Sequence, residues 1–292
     1  WITMSRNSSR PEEQAPPQIF YNETEASKYL HNSRMIEVQA SMAERALELL
    51  CLPEDAPCLL LDVGCGTGLS GEILEEAGHH WTGLDISSDM LRIAQKREVE
   101  GELVHRDMGN GVPFRQGVFD GAISISAVQW LCYSDRRDAE PRKRLLVFFQ
   151  SLYKCLRRGA RAVLQFYPQD TDQLQLITAS AMRAGFGGGL LVDFPHSTKA
   201  KKYFLVLLAG IPDGFVMPHA KGEGEERQQQ TEEVRNEGRR HASRSIGGRT
   251  NRRLITKNRE WVMNKKETQR RQGITVKSDS KYTARRRSKP KF

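Results

Sequence analysis

The sequence predicts an α/β protein with a doubly wound, mostly parallel sheet of seven strands, followed by a basic and largely disordered tail. Three observations support this fold class. Apolar strands alternate with helical patterns as far as Ala184, a glycine-rich turn follows the first strand, and positive charge is concentrated near the end of the chain. Such alternation is typical of a parallel sheet with helices on both faces. Because no helix separates the last two predicted strands, we expect an antiparallel final pair.

Charge is distributed unevenly along the 292 residues. Residues 220–292 hold 22 Lys and Arg against 9 Asp and Glu, whereas residues 1–219 hold 23 against 27. A mildly acidic body with a strongly basic tail indicates a polyanionic partner. We therefore expect three segments: a disordered N-terminal arm (1–18), a globular domain (19–218) and a basic tail (219–292).

The five cysteines are odd in number and have no C-x-x-C spacing, so they predict neither a disulfide framework nor a zinc site. We expect no metal ion in this chain. No apolar stretch approaches the length of a membrane span, and the polar N-terminus does not resemble a signal peptide. No membrane association is expected.

The first helical pattern covers residues 19–50 and predicts two helices that break near Asn32 and Ser33, with Pro53 ending the second. One interpretation is that these helices only cover one end of the sheet. The other is that they bring Tyr21, Tyr29 and Arg34 to the carboxylate end of a bound ligand.

A short apolar strand, residues 59–61, leads through an acid into three glycines at alternate positions and then into a helix. Glycine permits this abrupt turn and lets a ligand lie against the main chain at the start of the helix. The turn therefore predicts a cofactor loop. Its candidate contact residues are Asp62, Gly64, Cys65, Gly66 and Gly68.

The spacing of this loop excludes two common cofactor motifs. A P-loop requires Lys and Ser or Thr after its last glycine, but Leu69 and Ser70 stand there. The dinucleotide motif requires glycine at position 69. The remaining pattern, D-x-G-x-G-x-G, places an acid where a pyrophosphate would be repelled and a cationic amine favoured. S-adenosylmethionine has an ammonium, a sulfonium and no phosphate. The pattern resembles the first motif of class I S-adenosylmethionine-dependent methyltransferases, which have a Rossmann-like fold.

Acids also end the next two predicted strands. Asp85, followed by Ile86, lies 17 residues after Gly68, a separation that suits a carboxylate accepting from two ribose hydroxyls. Asp107 follows the strand at 103–106 and can accept from the adenine amino group, while Met108 offers an apolar surface to the ring. Three acids in order beside the glycines indicate an adenosylmethionine site.

The remaining elements complete the predicted sheet. A helix capped by Ser87 or Ser88 precedes the third strand, and Ser126, a further candidate cofactor contact, ends the fourth. The later elements are a helix at 143–156, a strand at 160–167, a helix at 172–184 and strands at 190–193 and 203–208.

The segment after strand four limits the methyl acceptor. It lacks the Asn/Asp-Pro-Pro-aromatic tetrad associated with adenine amino methylation, and the Pro57–Cys58 pair precedes the first strand, on the wrong side of the sheet for a thiolate nucleophile. Cys132 lies nearer, but a lone cysteine there is typical of a core residue. No histidine stands beside the acceptor loop. An acceptor with a free lone pair and no proton to lose, such as guanine N7, fits this absence, because positioning alone contributes roughly 7–11 kcal/mol.

Two aromatic residues are candidates for stacking on a flipped base, and no side chain is predicted to act as a chemical catalyst. These residues are Trp130 and Tyr167. The alternative for both is that they are core aromatics at strand ends, and for Trp130 the two interpretations are equally supported.

Several segments resemble the eukaryotic family of small-subunit (18S) rRNA guanine-N7 methyltransferases. They are residues 15–26, 62–70, 124–131, 192–195 with 199–202, and, in the tail, 261–267, 270–273 and 282–283. The resemblance implies methylation of guanine N7 in 18S rRNA of the pre-40S particle, and a location in the nucleoplasm and nucleolus with the cytoplasm as a second compartment. It also implies a small zinc-binding activator protein as partner, which would carry the zinc.

The residues are compatible with such a partner. The third strand, from Leu103 to Arg106, is short and is expected at the sheet edge, where strand addition by another chain is possible. Two alternatives to the enzyme remain: a non-catalytic pre-ribosome assembly factor with a residual cofactor site, and a small-molecule methyltransferase, which would not need the basic tail.

The basic clusters of the tail, at 265–266, 270–271 and 285–291, predict nuclear import and RNA contact. If the tail neutralises about 6–10 phosphates, RNA affinity should fall by roughly 10³–10⁵-fold between about 50 and 200 mM salt, and somewhat less for single strands. Filter binding of the full chain at several salt concentrations measures this slope. An affinity that does not change with salt would contradict the RNA-anchor role.

Overall fold

A computed structural model describes residues 10–53, 56–134, 139–197, 200–210, 218 and 220–222. The described chain contains one seven-stranded sheet in the order β3-β2-β1-β4-β5-β7-β6. Strands β1 to β5 are parallel, and β7 is antiparallel to both β5 and β6. The strands are β1 (Leu59–Val63), β2 (His80–Asp85), β3 (Glu102–His105), β4 (Phe119–Ile125), β5 (Leu156–Phe166), β6 (Gly187–Asp193) and β7 (Lys202–Leu208).

Eight α-helices accompany the sheet in the described part of the chain. Two 3₁₀ helices, Met108–Asn110 and Val128–Cys132, follow β3 and β4. The α-helices are α1 (Pro11–Gln14), α2 (Pro17–Phe20), α3 (Glu23–His31), α4 (Ser33–Leu50), α5 (Leu69–Glu76), α6 (Ser88–Lys96), α7 (Pro141–Cys155) and α8 (Thr171–Arg183).

The sheet separates two apolar cores because alternate side chains of a strand point to opposite faces. Leu60 and Val206 belong to the core under α4 and α5, whereas their neighbours Leu61 and Leu207 belong to the core under α7 and α8. Burial on both faces explains why these strands are continuous apolar runs.

The predicted fold class is confirmed, including the antiparallel final pair. The helix break at Asn32 is also confirmed, since its side chain accepts from the amide of Met35 at the start of α4, and Ser87 caps α6 through the amide of Met90. Strand β6, however, begins three residues before the prediction. Glycine is unfavourable in strands, so residues 187–189 gave no strand signal. A Cβ at Gly188 would lie only 2.1 Å from the carbonyl oxygen of Val206, so this approach requires glycine.

The prediction of a disordered arm over residues 1–18 is wrong for residues 10–18, a stretch that contains α1 and the start of α2. The Arg10 guanidinium donates to the carbonyl oxygens of Tyr167 (3.0 Å) and Pro168 (3.1 Å) just after β5. The prolines that suggested disorder occupy the first positions of α1 and α2, where proline's fixed φ favours a helix start. Residues 1–9 lie outside the described part.

A buried ion pair joins α4 to the end of β6. The Arg45 Nε atom donates to Asp193 Oδ2 at 2.9 Å, and both side chains are almost inaccessible to solvent. The Lys221 amide donates to Asp193 Oδ1 at 2.7 Å, and the Phe194 amide donates to the Lys221 carbonyl at 2.8 Å. Residues 221 and 222 are thereby fixed beside β6.

Strand β1 lies between β2 and β4, so the connections leaving β1 and β3 run to opposite sides of it. This reversal is where a doubly wound sheet forms its ligand crevice, at the carboxyl ends of the strands. None of the helices in the described ranges is both long and apolar enough to cross a membrane.

Candidate functional site

Four backbone amides of the glycine loop donate hydrogen bonds to acceptors within the protein. The amides of Gly64 and Cys65 donate to the Leu84 carbonyl, at 2.7 and 3.2 Å, and the Gly66 amide donates to Asp85 Oδ2 at 2.9 Å. The Gly68 amide donates to the Cys65 carbonyl at 2.9 Å. These four donors are therefore engaged, and the loop differs from a phosphate-binding cradle, whose amides point at the anion.

Close packing explains two of the glycines. Gly64 has a φ of +76°, and a Cβ there would lie 2.3 Å from the Cβ of Ala127, in the loop that follows β4. Gly68 has a φ of +81°, and its Cβ would lie 2.8 Å from Val99. Both positions combine a left-handed backbone with too little space for a side chain.

A first cavity of about 460 Å³ opens at the carboxyl ends of β1 and β2. Five of the predicted cofactor residues line it: Gly64, Asp85, Ile86, Asp107 and Met108. Tyr21, a candidate for the carboxylate end of the ligand, also lines it. The residues of its lining that the sequence did not identify as cofactor contacts are Pro17, Leu84, Arg106, Ala127, Trp130, Leu131 and Arg144.

A second cavity of about 1090 Å³ shares Tyr21 with the first. Ser126, Tyr167 and Arg34, all candidates from the sequence, line it. Its other lining residues come mainly from α1 and α4 and were not predicted: Arg10, Pro11, Glu12, Asn32, Met35, Val38, Gln39, Met42 and Gln129. Both cavities are open to solvent, and their volumes include that open space.

Four predicted residues, Asp62, Cys65, Gly66 and Gly68, line neither cavity. The Asp62 side chain is fully buried, and its Oδ2 accepts from Ser70 Oγ at 2.5 Å. Its Oδ1 has no hydrogen-bond partner in the described structure. Burial, assisted by the nearby Asp85, raises the pKa of Asp62 to about 7 although the hydrogen bond from Ser70 opposes the shift. A buried carboxylate with an unused oxygen behind the glycine loop favours a cationic ligand.

Asp85 connects the glycine loop to the next helix. Its Oδ2 accepts from the Gly66 amide and its Oδ1 from the Ser87 amide, at 2.9 and 2.7 Å. Burial raises the pKa of Asp85, and these two amides oppose the increase. The amides fix the carboxylate at the cavity, and its remaining lone pairs can accept further hydrogen bonds.

Asp107 forms an ion pair that the sequence did not reveal. Both of its oxygens accept from Arg144 Nη2 on α7, each at 3.0 Å, and its Oδ1 also accepts from the Gly109 amide at 2.8 Å. The carboxylate therefore caps the 3₁₀ helix and binds an arginine, in addition to lining the first cavity.

Ser126 has a left-handed backbone, with a φ of +58°. Its amide donates to the Gln165 carbonyl at 2.9 Å, and its Oγ donates to Gln165 Oε1 at 2.8 Å. Strained non-glycine residues of this kind cluster at functional sites. Two buried amide atoms nearby, Gln165 Nε2 and Gln129 Oε1, have no partner among the described residues.

The structure separates the two candidate stacking residues. Trp130 is almost fully buried and packs against Phe20 and Tyr21, with ring centroids 5.9 and 5.5 Å apart, at the first cavity. Tyr167 lines the second cavity, and the ammonium of Lys202 lies 5.4 Å from its ring centre. Only Tyr167 is thus placed in the second cavity.

Two chemical alternatives, a cysteine nucleophile and a bound metal ion, can be compared with the structure. Burial raises the pKa of the Cys132 thiol to about 12, with Asp170 and Glu12 adding to the shift, so this thiol is protonated near neutral pH. A protonated thiol is a poor nucleophile. In the described ranges no three His, Cys, Asp or Glu side chains are grouped to hold a metal ion.

Two family models match the chain. The model described as "Methyltransferase domain" matches residues 61–164, and the model described as "Methyltransferase involved in Williams-Beuren syndrome" matches residues 207–289. The first covers β1 to β5 and most of the first cavity.

Curated relatives match almost the whole chain. The "18S rRNA (guanine-N(7))-methyltransferase" of Mus musculus is 52% identical over 99% of this chain and 100% of its own length. The "Probable 18S rRNA (guanine-N(7))-methyltransferase" of Dictyostelium discoideum is 55% identical over 97% and 100%. The "18S rRNA (guanine(1575)-N(7))-methyltransferase" of Saccharomyces cerevisiae is 48% identical over 96% and 98%.

Solved structures share the fold. A phosphoethanolamine N-methyltransferase 2 of Haemonchus contortus superimposes with a TM-score of 0.50 at 15% identity, covering 65% of this chain and 58% of that one. At this identity the similarity supports the class I methyltransferase fold alone.

Asp62→Asn should raise stability and weaken adenosylmethionine binding. Because the folded pKa of about 7 exceeds the unfolded value of 3.8, folding favours the protonated acid, and this contribution is lost as the pH rises from about 4 through 7. Asparagine does not ionise, so its advantage in the free energy of unfolding should grow with pH toward an upper limit of roughly 4 kcal/mol. Thermal unfolding from pH 5 to 8 and calorimetric titration of the cofactor measure both effects.

Asp89→Asn, near the surface of α6, controls for the loss of one carboxylate. A Tm difference between Asp62→Asn and the unmodified protein that is constant across this pH range would contradict the buried-charge account.

Proposed function

Because the chain belongs to the family of eukaryotic 18S rRNA (guanine-N7)-methyltransferases, we infer that it methylates N7 of a guanine in 18S rRNA during ribosome biogenesis. The observation that carries this inference is the identity of 48–55% over nearly the full length of these three relatives. The two cavities that meet at Tyr21 support it, because one can hold a cofactor and the other an acceptor base.

The residues of the first cavity fit S-adenosylmethionine. When bound, this cofactor supplies the methyl group and the positive sulfonium that makes the methyl transferable. We assign Asp85 to the ribose hydroxyls and Ile86 and Met108 to the apolar surface of the adenine. The unused Oδ1 of Asp62 adds negative potential behind the glycine loop, which favours the ammonium group.

The chain's own contribution to catalysis is positioning. Guanine N7 has a lone pair and no proton, so methyl transfer to it requires no general base. Neither cavity is lined by a histidine, and the Cys132 thiol is protonated near neutral pH. Holding the acceptor in line with the methyl group contributes roughly 7–11 kcal/mol, which is enough to dominate the rate. We assign Tyr167 to one face of the flipped base.

The basic tail supports an RNA substrate and a nuclear location. The family model over residues 207–289 covers most of it, although its basic clusters lie outside the described residues. We propose that the tail contacts rRNA and directs nuclear import. A small-molecule acceptor would give this segment no role.

The edge of the sheet supports a protein partner. Strand β3 has four residues and pairs only with β2 within the described sheet, so its outer side is open to strand addition. We propose that a small zinc-binding activator protein adds a strand here, with the zinc held by that protein.

Asp85→Ala should abolish N7-methylguanosine in small-subunit rRNA. Alanine removes the carboxylate that lines the first cavity and releases the Gly66 amide, so cofactor binding should fall by at least tenfold. Mass spectrometry of 18S rRNA from cells carrying only this variant measures the product, and pre-rRNA processing is followed in parallel.

Asp89→Ala, four residues farther along, serves as the matched control. Unchanged N7-methylguanosine in the Asp85→Ala cells would overturn the enzymatic assignment. Lost methylation with normal processing would show that the protein's presence, rather than its product, supports assembly.

The open edge also predicts poor solubility of the isolated chain and rescue by co-expression with the activator. Hydrogen exchange of the amides at 102–106 should slow by at least tenfold in the complex, since strand pairing protects them. A soluble, stable monomer whose edge amides exchange equally in both states would contradict this interface.

A further inference from the structure

We propose that Glu12, together with Gln129, recognises the Watson–Crick edge of the acceptor guanine and so determines base specificity. The proposal rests on the function inferred above and adds to it the residues that distinguish guanine from other bases. Both side chains line the second cavity, beside Ser126 and Tyr167.

Contacts on both sides fix α1 over this cavity. Arg10, immediately before the helix, donates to two carbonyl groups that follow β5. Glu13 accepts from the Arg10 amide and from Gln169 Nε2, at 3.2 and 3.1 Å. The backbone of Glu12 is thus held between anchored neighbours, and its half-buried carboxylate has a defined place in the cavity wall.

The two polar side chains are already aligned with each other. Gln129 Nε2 donates to Glu12 Oε1 at 3.1 Å and to the Ser126 carbonyl at 3.0 Å. In this arrangement Gln129 Oε1 has no hydrogen-bond partner, and the residue is buried, with only 4% of its surface exposed. No described residue donates to Glu12 Oε2 either. The accessible acceptor in the wall is therefore the Glu12 carboxylate, which Gln129 orients, whereas Gln129 Oε1 itself has almost no accessible surface.

Guanine supplies the matching donors. Its Watson–Crick edge carries N1–H and the N2 amino group side by side, whereas adenine presents an unprotonated N1 there. A carboxylate can accept from both guanine donors, and hydrogen bonds to charged groups are the stronger kind. N7 lies on the opposite side of the purine, so binding by the Watson–Crick edge leaves N7 accessible.

An alternative role for Glu12 is only to hold Gln129 and α1 in place. If this were its only role, replacing Glu12 would reduce the methylation rate by the same factor for every acceptor base. If Glu12 recognises the base, the reduction in methylation rate should instead depend on the guanine N2 amino group. A double-mutant cycle, in which Glu12 and the acceptor base are changed separately and together, distinguishes the two roles.

The test measures single-turnover methylation by the full chain, purified in its native complex, at saturating S-adenosylmethionine. The acceptors are matched small-subunit rRNA fragments with guanosine or inosine at the position that the unmodified enzyme methylates. Inosine keeps N7, O6 and N1–H and lacks only the N2 amino group. We expect the unmodified enzyme to prefer guanosine by about 10- to 100-fold, since a hydrogen bond to a charged group is lost with inosine.

Glu12→Ala should reduce this preference to about onefold, and Glu12→Gln to an intermediate value, with cofactor affinity unchanged in calorimetry. Glu23→Gln, an exposed acid on α3 that lines neither cavity, should keep the full preference. The proposal would be overturned if Glu12→Ala kept the full preference for guanosine over inosine, that is, if its methylation rate fell by the same factor on both RNAs. Absence of guanosine methylation by the unmodified enzyme would instead show that the proposed function itself is wrong, and the specificity role would fail with it.

Discussion

The contact between Gly64 and Ala127 is the constraint on which the rest of the site depends. It locks the loop after β1 against the loop after β4, on two neighbouring central strands, with no room for even one additional methyl group. The first of these loops forms part of the first cavity, and the second leads from Ser126 to Gln129 in the second cavity. Their fixed separation therefore sets where a cofactor and an acceptor can meet.

The glycine loop also explains why the carboxylates have different tasks. Asp85 is half-buried, bonded to two amides and open to the first cavity, whereas Asp62 is sealed behind the loop with one oxygen unused. The buried acid reduces the stability of the ligand-free protein near neutral pH, because ionising it there is unfavourable. This lower stability occurs at the place where we expect a cation to bind. Active sites commonly reduce the stability of the folded protein in this way.

The sequence predicted those features that local pattern determines. Apolar runs before Asp62, Asp85 and Asp107 predicted the positions of β1, β2 and β3, although only β2 ends at its acid: β1 continues to Val63 and β3 ends at His105. Arg144 and Glu12 were missed because 37 and 117 residues separate them from their partners Asp107 and Gln129, and no local pattern encodes such pairs. Helix α1 was missed for the same reason, since contacts with the segment that follows β5 and with the 3₁₀ helix Val128–Cys132 hold it.

The anchoring of Lys221 on Asp193 has a geometric consequence for the tail. Asp193 pairs with Lys202 at the start of β7, and β7 runs antiparallel to β5, so this anchor lies at the edge of the sheet where β5 ends beside the second cavity. Lys221, near the end of the described chain, is thus held at the same end of the sheet as the second cavity. If the tail binds rRNA as we propose, the bound RNA would reach the cavity at an effective concentration in the millimolar range. The tail would then raise the local concentration of the substrate, and the second cavity would need to contribute only the discrimination between bases.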